Sequence, residues 1–280
     1  VATFPFLQVD VFTAVPLLGN PLAVVRDADA LTDEQMAAFA RWTNLSETTF
    51  LLRPTVAGAD YRVRIFTTGG ELPFAGHPTL GSCHVWLASG GQPQGSEVLQ
   101  ECGVGLVRIR RDGARLAFAA PSLRRSGPAE PEVVAQIARA LRIETGAIRA
   151  AEWIDNGPGW VGALLDSRAT VLGLRPDVAA LTGLNLGVIG PWDAARDGDA
   201  AQFEVRAFFT GDGVAEDPVT GSLNAGLAQW LIGAGIAPNS YVASQGAALG
   251  RDGRIYVERI GRDIWVGGDT VTCIEGTVTL

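Results

Sequence analysis

The feature that most constrains this 280-residue chain is that its second half repeats the landmarks of its first. Residues 64–91 and 206–235 both open with Arg-x-Phe and then pass an acid, Glu71 in one and Glu216-Asp217 in the other. Both carry a proline and a threonine ahead of Gly-Ser and close on Trp-Leu and glycines. Arg64 and Arg206 stand 142 residues apart, Thr79 and Thr220 141, Trp86 and Trp230 144, and Asn44-Leu45 and Asn185-Leu186 141. Spacing that stays so constant indicates duplication of one unit. It predicts two similar halves related by pseudo-twofold symmetry, with two loop-to-helix corners facing each other across a cleft.

The local pattern supplies the elements of that unit. Val9–Phe12 and Leu22–Val25 read as strands around the turn Leu18-Gly19-Asn20-Pro21, and Thr49–Leu52 and Tyr61–Phe66 as two more. Thr32–Thr43 reads as a helix: Thr32 caps it, Asp33 and Glu34 suit its positive end, and Met36, Phe39 and Ala40 share an apolar face. A second helix starts at Gly76-His77-Pro78 and stops at Gly90-Gly91. A hairpin follows around Asp112-Gly113, and Pro121–Pro131 has the Pro, Ser, Arg and Gly content of a linker. Beyond it come a helix over Pro131–Leu141, strands near Trp153 and Trp160–Leu165, and a helix near Asp177–Thr182. The apolar stretch Leu223–Pro238 is broken by Asn224, Gln229 and glycines, so it reads as a buried helix and not a membrane span.

Charge narrows the partners. The formal net charge of −8 repels a phosphate backbone and an anionic lipid surface, so neither nucleic acid nor membrane is expected. Cys83, Cys102 and Cys273 are odd in number and lack metal-binding or redox spacing, which fits a reducing, cytoplasmic setting. The first residues show neither the basic start nor the apolar core of a signal peptide.

Chemistry concentrates at the corners. Helix N-termini present unpaired N–H groups and partial positive charge, and two converging on one cleft suit a small carboxylate. Gly221-Ser222 heads one such helix, as ligand site or as ordinary cap. Glu47 precedes an apolar strand, where it is either a solvated acid or a partly desolvated general base. His77 sits in the first corner and can relay a proton, while His84 lies deeper in the same helix as a packing residue. Asp217 sits in the second corner, as a functional acid or a residue favouring the helix dipole. The residue 141 positions after Glu47 is Val188, so the chemistry of the repeat is asymmetric.

These residues also carry a resemblance. Gly19-Asn20-Pro21-Leu22-Ala23-Val24-Val25, Asn44-Leu45-Ser46-Glu47-Thr48, Arg64-Ile65-Phe66-Thr67 and Glu71 through Thr79 are similar to the PhzF-like phenazine-biosynthesis proteins. So are Glu216 through Ser222, Ser244-Gln245-Gly246 with Gly250-Arg251, and the closing Val266-Gly267-Gly268. The match runs almost end to end; Thr68 departs from a common proline. The resemblance implies an α+β fold of the diaminopimelate epimerase type. Each of its two similar domains is a curved, mostly antiparallel, barrel-like sheet around a central helix. The expected division is 1–121, joined by a returning strand at 269–280, and 122–268, in a homodimer. It places the catalytic glutamate on Glu47, with His77 and Asp217 beside it, and the substrate pocket on Ser46, Gly76, Gly221 and Ser222.

The implied reaction is cofactor-free and metal-free transfer of a proton between carbons of a small, cyclic carboxylate, as in isomerisation of a dihydro-hydroxyanthranilate. Related racemases use two opposed cysteines. Here the first such position is Ala75 and the second falls at or beside Asp217, so a two-thiol mechanism is excluded. Isomerisation or epimerisation of another small carboxylate, or ligand binding without catalysis, is the alternative on the same scaffold.

Overall fold

The computed structural model describes residues 2–210 and 215–280; residues 211–214 of the repeated loop lie outside the described residues. The chain divides into two compact units, Val1–Ala119 with Gly267–Leu280, and Ala120–Val266.

The first unit runs β1 (Thr3–Val11), β2 (Asn20–Val25), α1 (Asp33–Thr43), β3 (Thr48–Leu52), β4 (Tyr61–Phe66), β5 (Glu71–Leu72) and α2 (Gly76–Ala88). It continues through β6 (Val98–Cys102), β7 (Gly105–Asp112) and β8 (Arg115–Ala119). Thr32 caps α1 in a full capping box with Gln35, and Met36, Phe39 and Ala40 are buried. They pack with Phe50 and Phe66 against one face of the sheet. On the other face lies α2, apolar all round, as a helix enclosed by a sheet must be. It touches β1, β2, β3, β4, β6 and β8.

The second unit holds β9 (Arg125–Pro128), α3 (Pro131–Leu141), β10 (Ala150–Asp155), β11 (Trp160–Leu164), α4 (Arg168–Gly173) and β12 (Asn185–Pro191). Then follow α5 (Ala194–Asp197), β13 (Phe203–Phe208), β14 (Glu216–Asp217), α6 (Gly221–Gly233), β15 (Ser240–Gln245), β16 (Gly253–Ile260) and β17 (Asp263–Gly268). Here α6 is the buried helix, packed on β10, β11 and β16. The chain then returns to the first unit as β18 (Thr270–Thr279), antiparallel to β1. The linker expected at Pro121–Pro131 is instead structured: β9 pairs antiparallel with β10. The helix expected near Asp177–Thr182 is a 3-10 turn over Val178–Leu181.

Duplication is written in the strand pairing. Along the first unit β1–β2 is antiparallel, β2–β3 parallel, β3–β4 and β4–β5 antiparallel, β4–β6 parallel and β6–β7 antiparallel. The second unit gives the same series with β10, β11, β12, β13, β14, β15 and β16. The repeated Arg and Glu also have one job. Arg64 forks onto Glu71 at 2.7 and 2.6 Å, and Arg206 onto Glu216 at 2.8 and 2.7 Å. Each fork ties β4 or β13 to the short strand that leads into the buried helix.

The registers correct the residue matching read from the sequence. With Phe66 matched to Phe208, the pairings carry Thr48 onto Leu186, and therefore Glu47 onto Asn185 and not Val188. They also carry Leu22 onto Trp160. Because α2 and α6 are both 13 residues long, Gly76 matches Gly221, His77 matches Ser222 and Ala75 matches Thr220. The loop from Phe208 to Glu216 is three residues longer than that from Phe66 to Glu71, which displaces the Thr79–Thr220 match.

Candidate active site

In the first unit the chain is steered to put an acid beside the start of α2. Asn44 ends α1 in the left-handed region at φ 55°, and its N–H bonds the Ala40 carbonyl. Four residues later β3 begins, its Thr48 hydroxyl 2.9 Å from that of Thr43. Glu47 is the last residue before the strand. Since Thr48 pairs with Ala23 of β2, Glu47 lies at the end of the sheet where β2 starts with Asn20. The same end receives the first turn of α2, Gly76-His77-Pro78, with Ala75 as a cap that offers no side-chain bond.

The side chains meet there. Glu47 Oε2 lies 3.4 Å from His77 Nε2, with only 14% of the Glu47 side chain and 4% of the His77 side chain exposed. On the ring's far edge the Asn20 amide nitrogen is 3.3 Å from Nδ1. Burial pushes the His77 pKa down to about 3, against a hydrogen bond with the Pro21 backbone that acts to raise it. The imidazole is therefore neutral, and the 3.4 Å approach is a close contact of carboxylate and neutral ring, not an ion pair. A chain of buried polar groups braces the helix start: Tyr61 donates to Gln100, Gln100 to Thr79, and Thr79 to the Ala75 carbonyl. Ser46 is half-buried beside Glu47, and Gly76 is buried at the first helical position.

In the second unit the equivalent corner has different contents. The Asp217 carboxylate accepts the Thr220 hydroxyl at 2.5 Å, and Thr220 is the helix cap. Gln245 of β15 accepts from the Thr220 N–H and the Asn224 amide, and donates to the Thr220 hydroxyl and the Asp217 carbonyl. Gly221 and Ser222 open the helix, both buried. The Ser222 hydroxyl accepts from the Trp160 indole N–H at 3.1 Å, and its carbonyl from the Asn156 amide at 2.8 Å.

The structure thus brings Glu47 and His77 into contact in one unit, and Asp217, Thr220, Gly221 and Ser222 into one corner of the other. His84, as read from the sequence, is a packing residue, its Nε2 3.0 Å from the Thr272 hydroxyl. Ala75 and its match Thr220 are the caps of the two buried helices, and neither is a thiol. The three cysteines are free. Sequence reading missed Asn20, Gln100, Asn156, Trp160 and Thr220 as parts of the corners. Asn20, Thr220 and the bracing Gln245 stood in quoted motifs without a role, since side chains that reach across strands leave no mark of spacing. Among the described residues no cluster of three His, Cys, Asp or Glu side chains could hold a metal, and no helix is long and apolar enough to cross a membrane.

Two buried helices packed on strands of a large sheet, with a carboxylate and a neutral imidazole at one helix start and a serine hydroxyl at the other, define an α+β protein. A family model described as phenazine biosynthesis-like protein, PhzC-PhzF, matches residues 9–276. The chain is 35% identical over 295 residues to antisense-enhancing sequence 1 of Schizosaccharomyces pombe, covering 97% of each. It is 35% identical over 278 residues to trans-2,3-dihydro-3-hydroxyanthranilate isomerase of Pseudomonas aeruginosa, covering 96% of this chain and 94% of that one. A solved PhzF-family phenazine biosynthesis protein of Enterococcus faecalis superposes with TM-score 0.82 at 25% identity, covering 100% of both chains. The chain belongs to the PhzC-PhzF family of phenazine biosynthesis-like proteins, and it is an isomerase.

Proposed function

We propose that the protein moves a proton between two carbons of a small cyclic carboxylate, with Glu47 as the shuttle and without a cofactor. The observation that carries this reading is the contact of Glu47 with a buried, neutral His77 at the start of α2. The Glu47 carboxylate removes a proton from one carbon, the C–H electron pair passes into the conjugated system, and the protonated Glu47 returns the proton at another carbon. Nothing is oxidised or reduced, and Glu47 ends as it began.

His77 suits both halves of that cycle. With its proton on Nε2 it donates to the ionised Glu47. With its proton on Nδ1, Nε2 accepts from the protonated Glu47. Ser46 and Gly76 line the same pocket. The Gly221-Ser222 helix start, with the Ser222 hydroxyl, serves the substrate carboxylate, and Asp217 orients the substrate. A substrate of the dihydro-hydroxyanthranilate type is supported by the isomerase of Pseudomonas aeruginosa at 35% identity.

The test is conversion of trans-2,3-dihydro-3-hydroxyanthranilate in D2O, followed by proton NMR. Isomer formation with deuterium entering at the newly protonated carbon is expected. Saturable binding with neither conversion nor deuterium uptake, for this and other cyclic carboxylates, would turn the reading to a binding protein.

A further inference from the structure

The hydrogen bonding of Ser222 is one-sided in a way that points to a ligand. Indole N–H is a donor only, whereas a serine hydroxyl has one proton to give and two lone pairs to receive. The Trp160 N–H occupies a lone pair of Ser222 Oγ at 3.1 Å. Among the described residues no group accepts the Ser222 proton. With the indole behind it, that proton is directed away from Trp160, and a buried hydroxyl left without an acceptor costs roughly 1–3 kcal/mol. The Asn156 amide holds the carbonyl of the same residue at 2.8 Å, so both polar ends of Ser222 are fixed from one hairpin.

That hairpin is itself held. The Asp155 carboxylate accepts the Gly157 and Gly159 N–H groups at 2.6 and 2.7 Å, and the Asn185 amide donates to the Pro158 carbonyl at 2.6 Å. Gly157 and Gly159 stand at φ 146° and 82°, the second a left-handed turn that favours glycine. Trp160 is fully buried, its ring centroid 4.7 Å from that of Phe209. In the first unit the matching positions are Leu22 and His77, so the device belongs to one corner only.

We propose that Trp160, backed by Asn156, is a positioning residue that turns the Ser222 hydroxyl proton away from the indole as a donor and so sets the preference of this corner for an anionic carboxylate over an uncharged amide. The proposal rests on the reading of Gly221-Ser222 as the carboxylate-binding corner. Donors aimed in advance need no reorganisation when the anion arrives, and the gain is in affinity.

The test compares anthranilate and anthranilamide by calorimetry on the wild type, Ser222→Ala, Trp160→Phe and the double variant. Phenylalanine keeps a ring against Phe209 but removes the N–H. Trp160→Phe and Ser222→Ala each weaken anthranilate about tenfold and anthranilamide less than about twofold, and the double variant loses no more than either. For turnover of trans-2,3-dihydro-3-hydroxyanthranilate, Trp160→Phe raises KM and leaves kcat within about threefold, a split that general loss of packing would not give. In the wild type, the indole N–H resonance of Trp160 shifts with anthranilate and not with anthranilamide, which tests the idea even if a variant fails to fold. Unchanged anthranilate affinity in Ser222→Ala overturns the corner itself. A weakened Ser222→Ala with an unchanged Trp160→Phe, additive losses, or an unmoved Trp160 resonance overturns the role of Trp160 alone.

Discussion

The two buried helices start alike and do different things. Each is 13 residues long, begins with glycine, lacks a side-chain cap bond and is braced by a glutamine from the strand parallel to β4 or β13. Yet the second helical residue is His77 in one and Ser222 in the other. At the start of the neighbouring strand the matched residues are Glu47, just before β3, and Asn185, the first of β12. Duplication supplied two equivalent places for chemistry, and the side chains there diverged: a neutral ring against a carboxylate on one side, a directed hydroxyl on the other. Scaffold and side-chain chemistry are separable here, because the braces are shared and the groups at the helix starts are not.

The comparison breaks most sharply at Glu47 and Ser222. Glu47→Gln keeps shape and polarity but cannot carry a proton, so kcat falls at least about a hundredfold with ligand affinity within a few-fold. Ser222→Ala does the reverse, raising KM about tenfold with kcat within about threefold. Steady-state kinetics on both variants checks the pair. If Glu47→Gln turns over at the wild-type rate, the division of labour between the corners fails.

The shared braces make a second test, in stability. Gln245 joins four groups of its corner, the Thr220 N–H, the Thr220 hydroxyl, the Asn224 amide and the Asp217 carbonyl. Gln100 joins two, Tyr61 and Thr79. Both glutamines are buried, so removal strands their partners. Gln245→Leu costs about 3 kcal/mol and Gln100→Leu about 2 kcal/mol. Urea unfolding of both variants measures the difference, and a larger loss at Gln100 would contradict it.

How far all this was legible follows from the kind of signal each part leaves. The capping box of α1 spans four neighbouring residues, and β4 alternates buried Tyr61, Val63 and Ile65 with the less buried Arg62 and Arg64, so both could be read locally. The repeat was visible because Arg64 and Glu71, like Arg206 and Glu216, keep their partners close along the chain. Matching residue to residue was not. A constant offset sent Glu47 to Val188, when each connection has its own length and pairing sends it to Asn185. The strand β9 was hidden by its composition, because an edge strand tolerates Pro128 and Gly127 that a central strand would reject. Trp160 and Asn156 were silent since they act on Ser222 more than sixty residues away.

A third test concerns how closely each helix approaches its sheet. Gly81 and Gly226 hold matching places in α2 and α6. A Cβ on Gly226 would lie 2.5 Å from the Ile154 carbonyl oxygen, which is backbone of β10 and cannot step aside. A Cβ on Gly81 would also meet an atom at 2.5 Å, but that atom is the Leu22 side-chain terminus, which can turn. Gly226→Ala therefore costs about 2–3 kcal/mol and Gly81→Ala about 1 kcal/mol. Melting both variants orders them, and equal losses would show that Leu22 is as rigid as main chain.

A last effect separates the corners by acid. His77 is held at a pKa of about 3 by burial, whereas in the unfolded chain a histidine titrates near 6.5. Between those values the unfolded state binds a proton that the folded state does not, so stability rises with pH through that window and is lost on acidification. Its match, Ser222, has nothing to titrate. His84 is also lowered by burial and pulls the same way, while carboxylates add their own acid dependence, so the useful quantity is a difference between variants. His77→Gln removes one titrating group and leaves the others. Urea unfolding of wild type and His77→Gln from pH 4 to pH 7 should give curves whose separation changes by at most about 1.4 kcal/mol per pH unit below pH 6 and levels off above it. Parallel curves across the whole range would mean that the ring takes up its proton in the folded state, and that Glu47 faces an imidazolium and not a neutral imidazole.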